Sequence, residues 1–425
     1  MTAAPPARWG RPFFALWTGQ AVSLFGSALV QFALIWWLTD TTRSATVLAV
    51  ATLMSILPGI VVAPFAGVVV DRFNRRLIMI VSDSLVALST LVLAYLFWSG
   101  VAQPWHVYAA MFIRAAAGVF QFPAMQASTS LMVPADQLQR VQGFNQMLQG
   151  VMGIVAPPAG ALLLGVLPLQ GVLAIDVVTA LVGVAPLFFI AVPQPPAPPA
   201  AARTSFLGEI GASFRYLVAW RGLFLVALMS VVLNFLLNPA GALLPILVTR
   251  HFGGAEGELA LINSAFSLGL LVGGVGLGAW GGFKRRIYTS LLGLLLLGLS
   301  FGALGLVPGN AFWLAVGLAF IASLTTVMVN GPLLAILQAV VAPEMQGRVF
   351  SLIGSVATAL SPVGLLIAGP VSDAVGVQVW YLVGGVASLG LGALAFFVRA
   401  IRNLEDHQAA APAAAAAGLA ADLST

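Results

Sequence analysis

Three charged residues stand inside long apolar runs of this sequence: Asp83, Arg114 and Asp176. A charge at the centre of a bilayer costs about 2.5 to 3.5 kcal/mol on insertion scales, so each must face protein or water. Counted inward from Trp105 at one edge, Arg114 falls near the middle of its run. Asp83 and Asp176 lie about one to two helical turns from the ends of theirs. A carboxyl whose proton affinity is moved by burial and by charged neighbours can load and release a proton. Arg114 would exchange that proton with one of the two aspartates, or hold a structural ion pair with an acid on a neighbouring helix. Either aspartate would carry the proton or only brace its helix. Asp40 and Asp373 fall at the ends of their runs.

Uncharged polar residues form a second group. At 100° per residue, Gln20, Ser23, Ser27 and Gln31 fall within about an 80° arc of one helix. Ser230, Asn234 and Asn238 repeat the idea at i, i+4, i+8 in the second half of the chain, and Ser323, Thr326 and Asn330 do so further on. Such stripes either line a water-filled or substrate-filled cavity or join helices by hydrogen bonds. Equivalent positions in the two halves favour a midplane cavity, where Arg114 and Gln121 join the lining. Its amides and hydroxyls, with adaptable Phe and Met surface, suit an amphipathic small molecule.

The elements that must position these residues follow from composition. Of 425 residues, 60% are hydrophobic and 7% charged, with a mean hydropathy of +1.03. Soluble domains carry about 25% charged residues, so a water-soluble enzyme or nucleic-acid-binding domain is excluded. The net charge of +5 reads as loop topology rather than as a polyanion partner. Without cysteine there is no disulfide, thiolate nucleophile or sulfur-ligated metal. His106, His251 and His407 are scattered, and no Walker lysine follows the Gly-rich stretches. No metal or cofactor is expected, and an enzyme is disfavoured.

Twelve runs are long enough to cross about 30 Å of hydrocarbon: 13–39, 45–70, 77–98, 104–128, 141–166, 171–192, 222–249, 259–281, 287–307, 311–340, 349–371 and 377–398. The first is too long, and too rich in Trp and Gln, for a cleaved leader. With the N-terminus in the cytoplasm, all eighteen basic residues except Arg43, Arg114 and Arg250 face inward or flank the inner ends, and both termini are cytoplasmic. The run 193–202, PQPPAPPAAA, is a stiff linker. It separates a six-helix bundle (1–192, with the linker at 193–215) from a second (216–400), followed by a tail at 401–425 expected to be disordered. RFNRR at 72–76 answers GFKRR at 282–286, and Pro158 with Gly160 answers Pro362 with Gly364, the mark of a duplication. The fold expected is all-α and integral to the membrane.

Gly67-Val-Val-Val-Asp71-Arg72-Phe-Asn74-Arg75-Arg76 resembles the loop between the second and third helices of the major facilitator superfamily, G-x-x-x-D-R-x-G-R-R/K. Asn74 stands where glycine is usual and would tolerate a left-handed turn there. Positive-inside orientation alone would also explain the arginines. The resemblance extends over residues 9 to 400 through Trp17-Thr-Gly-Gln20, Leu38-Thr-Asp40, Ser44-Ala45, Val133-Pro134, Gln137-Leu138 and Ile175-Asp176, and is to the bacterial drug-exporter branch that includes macrolide efflux proteins. Arg114-Ala-Ala-Ala-Gly118 is similar to the family's fourth-helix motif. Gly150, Gly153, Pro157 and Gly160 are a worn form of its fifth-helix antiporter motif, or the mark of a plain kink.

The resemblance implies a secondary exporter in the bacterial cytoplasmic membrane, working by alternating access and proton exchange. Its partners would be a small-molecule substrate, protons and lipids, with no nucleic acid, and it would act as a monomer. Proton coupling would fall to Arg114, Asp83 and Asp176, and a conformational latch to Gly67, Asp71, Arg72, Arg75 and Arg76. A siderophore or metabolite exporter of the same fold, or an uncoupled facilitator, stays open at this point.

Overall fold

A computed structural model describes residues 9–134, 137–190, 215, 217–341 and 343–407. These residues form α1 (Gly10–Thr42), α2 (Ala45–Arg72), α3 (Arg75–Trp98), α4 (Pro104–Met132), α5 (Leu138–Val166) and α6 (Leu169–Phe189). There follow α7 (Arg221–Ala242), α8 (Glu256–Trp280), α9 (Arg286–Leu306), α10 (Phe312–Val340), α11 (Pro343–Val375) and α12 (Gln378–Phe397). Eleven of them are long and apolar enough to cross a bilayer, and α11 adds a shorter apolar stretch, Leu360–Val375. No strand occurs among the described residues. The all-helical membrane architecture expected from hydropathy is the one observed. In hydrocarbon a helix satisfies every backbone group internally, which is why apolar runs of this length adopt it.

Helix starts show local chemistry. Ser44 Oγ accepts from Val47 N–H to cap α2, and Asn74 Oδ1 accepts from Leu77 N–H to cap α3, each at 3.3 Å. Asn74 has φ −63° and ψ 113°, so the expected left-handed turn is not formed. An amide side chain that caps the following helix needs extended backbone, and capping explains asparagine at this position.

Some boundaries differ from the hydropathy reading. The run 222–249 is not one helix: α7 stops at Ala242, then come a short turn, Leu244–Ile246, and a π-helical turn, Leu247–His251. Pro245 lacks the N–H that would continue the α-helical ladder. Conversely, α5 runs unbroken through Pro157 and Pro158, and α11 begins at Pro343, six residues before the apolar run, because polar residues extend a helix beyond the hydrocarbon. The proline-rich linker and residues 408–425 lie outside the described residues.

The chain forms two compact units, Met1–Ala201 with Ala242–Ser264, and Ala202–Gly241 with Ala265–Thr425. In the first, α1 packs on α6, and α3 packs on α4 and α6. Two apolar clusters lie at opposite ends of these helices. One holds Phe13, Leu16, Met79, Ala124 and Leu187; the other holds Val30, Leu34, Leu93, Met111 and Leu173. In the second unit Val226, Ile287, Leu291, Ile336, Ile401 and Leu404 form a core cluster. Residues Arg399–Arg402 and Leu404–His407 are thus fastened to the bundle by Ile401 and Leu404. Glu405 Oε1 also accepts from Ile287 N–H at the start of α9, at 2.9 Å.

Candidate functional site

Between the two apolar clusters of the first unit lie two polar layers. One gathers Gln20, Asp83, Gln121 and the carbonyl of Gly183; the other gathers Ser27, Thr90, Arg114 and Asp176. The members on each helix are seven residues apart: 20 and 27 on α1, 83 and 90 on α3, 114 and 121 on α4, 176 and 183 on α6. Seven residues turn a helix through nearly two full revolutions, so both members share a face, separated by about 10 Å along the axis. The order is reversed on α4 and α6, which run antiparallel to α1 and α3.

Asp176 is fully buried and Arg114 is 9% exposed. The guanidinium Nη1 of Arg114 donates to Asp176 Oδ2 and to Thr90 Oγ1. Nη2 lies 3.4 Å from the carbonyl of Ser27. Ser27 Oγ donates to Asp176 Oδ1 at 3.1 Å, and Thr90 Oγ1 lies 3.0 Å from Oδ2. Thus the charge of Arg114 is met by a carboxylate, and both carboxylate oxygens are occupied. A buried pair of this kind holds together because removing either partner strands the other charge.

Asp83 is 3% exposed and has different company. Gln20 Nε2 donates to Asp83 Oδ2 at 2.9 Å and to the carbonyl of Gly183 at 3.2 Å. Gln121 Nε2 donates to Asp83 Oδ1 and, at 2.7 Å, to Gln20 Oε1. All four amide N–H donors are therefore used. Gln121 is the member of this layer that is only half-buried.

Close approach of α1 and α6 makes these contacts reachable. A Cβ on Gly183 would sit 2.7 Å from Ser23 Cβ, and one on Gly26 would collide with Thr179 Oγ1 at 1.9 Å. Glycine at both positions lets the helices touch, as small residues do in membrane bundles.

Of the residues expected to line a cavity, Gln20 and Ser23 are buried at helix contacts, Ser27 serves Asp176, and Gln31 is half-buried further along α1. In the second unit the side chains of α7 form a ladder. Ser230 Oγ donates to the carbonyl of Val226, Asn234 Nδ2 to the carbonyl of Ser230, and Asn238 Nδ2 to Ser361 Oγ at 2.9 Å. Asn234, Asn238 and Asn330 are exposed, and Thr326 is half-buried with its hydroxyl on the carbonyl of Ala322. Thr90 and Ser361 do not stand out in the sequence. The signal for Thr90 is its seven-residue spacing from Asp83, the same step that relates Gln20 to Ser27 and Arg114 to Gln121.

In the loop segment, Arg75 Nη1 donates to the carbonyl of Ala127 on α4 at 2.9 Å, and Arg76 Nη2 to the carbonyl of Phe188 at the end of α6 at 2.7 Å. Arg76 thereby meets a terminal carbonyl, where the helix dipole favours a cation. Gly67, Asp71 and Arg72 lie outside the described side chains.

A family model described as Major Facilitator Superfamily matches residues 16–240 and 223–421. Macrolide efflux protein A of Streptococcus pyogenes is 33% identical over 397 residues, covering 93% of this chain and 98% of that protein. Its Enterococcus faecalis namesake is 32% identical, covering 76% and 99%. The multidrug efflux pump Tap of Mycolicibacterium fortuitum is 24% identical, covering 89% and 94%. Among solved structures, a POT family transporter in complex with 5-aminolevulinic acid aligns with a TM-score of 0.69 at 12% identity, covering 91% of this chain and 95% of that one. The nucleoside transporter NupG aligns with 0.62 at 14%, covering 88% and 97%. These two likenesses concern the fold.

Proposed function

Because the chain belongs to the Major Facilitator Superfamily, we propose that this membrane transporter is a bacterial exporter of macrolide-like amphipathic drugs, driven by proton antiport. The observation that carries the substrate class is the match to Macrolide efflux protein A over nearly the full length of both chains. The observation that supports proton coupling is the set of buried ionisable groups, Asp83, Arg114 and Asp176, held in two hydrogen-bonded layers across four helices.

In this reading the protein sits in the cytoplasmic membrane with both termini inside and exposes its substrate site alternately to the two faces. Within the first unit Gln31 and Gln121, amides that are not fully buried, meet the substrate. Exchange of a proton within the polar layers changes how α1, α3, α4 and α6 are tied together, which biases one conformation over the other. The segment 67–76 latches one state. Arg75 and Arg76 already fix the start of α3 to α4 and α6, so movement of the loop is transmitted to the helices that carry the layers.

The test is accumulation of labelled erythromycin in macrolide-sensitive bacteria with and without this chain, before and after an uncoupler. The reading predicts lower accumulation in cells that carry it, and recovery to the control level once the proton gradient collapses. Equal accumulation in both strains, with the protein present in the membrane, would refute it. Lower accumulation that the uncoupler leaves unchanged would refute the proton coupling alone.

A further inference from the structure

The two buried aspartates are not equivalent, and we infer that Asp83 is the carboxyl that gains and loses the proton, with Gln121 as the amide that turns with it, while Asp176 stays ionised beside Arg114. This rests on the proton-coupled reading above and assigns the proton within it.

The distinction lies in the partners. Asp176 is bound to a guanidinium, which has donors only and keeps its charge. Protonating Asp176 would leave Arg114 as an unpaired buried cation, the costly way to break such a pair. Asp83 has no cation in contact with it among the described residues; its donors are two neutral amides. Proton uptake there removes a charge that the layer does not balance and strands nothing.

Amides also suit both protonation states, because each carries a donor end and an acceptor end. Gln20 is held in place: its N–H groups serve Asp83 Oδ2 and the carbonyl of Gly183. Gln121 is half-buried and tied to this layer through Nε2 alone. When a proton binds at Asp83 Oδ1, the new O–H needs an acceptor. A half-turn of the Gln121 amide supplies Oε1 to it and points Nε2 away from Gln20. Bound protons are balanced simply: the carboxylate takes one proton from water and later returns it. The turn of Gln121 changes what α4 offers to its surroundings and releases its bond to α1, so the proton is read out by α4.

The charged groups around Asp83 are accounted for on every packed element. Arg114 on α4 and Asp176 on α6 lie one layer away and neutralise each other. Arg75 and Arg76, about two turns down α3, are turned to the carbonyls of Ala127 and Phe188. The charged residues of α1, Arg11 and Asp40, are near its ends. Asp71 and Arg72 close α2, outside the described side chains.

The experiment compares wild type, Asp83→Asn and Asp83→Glu in phosphatidylethanolamine–phosphatidylglycerol vesicles, with labelled erythromycin as the probe. Accumulation under an imposed pH difference and exchange without a gradient are read separately. Asp83→Asn should lose gradient-driven accumulation and keep exchange, as a coupling defect does and a folding defect does not. Asp83→Glu, which keeps the acid, should keep both and shift the pH profile of accumulation. Should Asp83→Asn fail to insert, the Glu variant decides alone: a profile that superimposes on wild type overturns the assignment. Gradient-driven accumulation by Asp83→Asn equal to wild type also overturns it, with the proton-coupled reading intact. Wild-type accumulation that is the same with and without the pH difference removes that reading, and the assignment with it.

Discussion

Replacing Arg114 by Ala should destabilise the protein by about 3 to 5 kcal/mol, the usual consequence of removing one partner from a buried ion pair. The size follows from what is left behind. Asp176 has no exposed surface, and after the substitution its carboxylate retains only the hydroxyls of Ser27 and Thr90 as donors. Two neutral hydrogen bonds do not offset a charge held between apolar clusters. Asp176→Ala should cost a similar amount, because the guanidinium then keeps only Thr90 Oγ1 and the Ser27 carbonyl. The double variant strands neither charge, so its loss should fall short of the sum of the singles by about 2 to 3 kcal/mol. The assay is reversible denaturant unfolding of the purified protein in one detergent, followed by tryptophan fluorescence, for all four members of the cycle. Losses that add to within about 0.5 kcal/mol would mean that Arg114 and Asp176 are not coupled, since independent sites behave that way.

Other expectations follow from the packing. A Cβ on Gly385 would sit 2.4 Å from Gly302 Cα and 2.8 Å from the Gly298 carbonyl, backbone atoms that yield only if α9 and α12 part. Gly385→Ala should therefore destabilise by about 1 to 3 kcal/mol. Gly390→Ala on the same helix meets nothing within 4 Å and should stabilise by up to about 1 kcal/mol through helix propensity; thermal unfolding of the pair checks the sign. Glu405→Ala removes the acceptor for Ile287 N–H and should cost about 0.5 to 2 kcal/mol by analogy with other helix caps. Hydrogen exchange should locate that loss at the start of α9. Gln121→Leu, by removing the turning amide, should reduce gradient-driven erythromycin accumulation more than gradient-free exchange in vesicles; equal reduction of both would speak against its place in the proton step.

Much of the fold was legible because lipid imposes one strong rule. A run of apolar residues long enough to cross must be helical, so the positions of α1 to α4 follow from hydropathy within a few residues. The rule weakens where the chain is not simply apolar. It joined α7 to the separate turns that end at His251, and it stopped short of the polar start of α11. For the site, cost singled out Asp83, Arg114 and Asp176, since an intramembrane charge is rare unless it is used or paired. Periodicity also put Gln20, Ser23 and Ser27 on one face. It could not say whether that face met water, lipid or another helix, and Gln20 and Ser23 turn out to be buried against neighbours. Pairing across helices depends on register, which a single sequence does not display. Thr90 shows this well: an unremarkable threonine becomes the bridge beside Arg114 because it stands two turns from Asp83.

Proton movement caused by substrate is the direct signature of antiport. Vesicles containing the purified protein and a trapped pH-sensitive dye, with no gradient imposed, receive erythromycin on one side. Drug entry should be accompanied by loss of protons from the lumen, seen as a rise in internal pH that empty vesicles do not show. Labelled erythromycin that enters through the protein without any change in internal pH would contradict antiport.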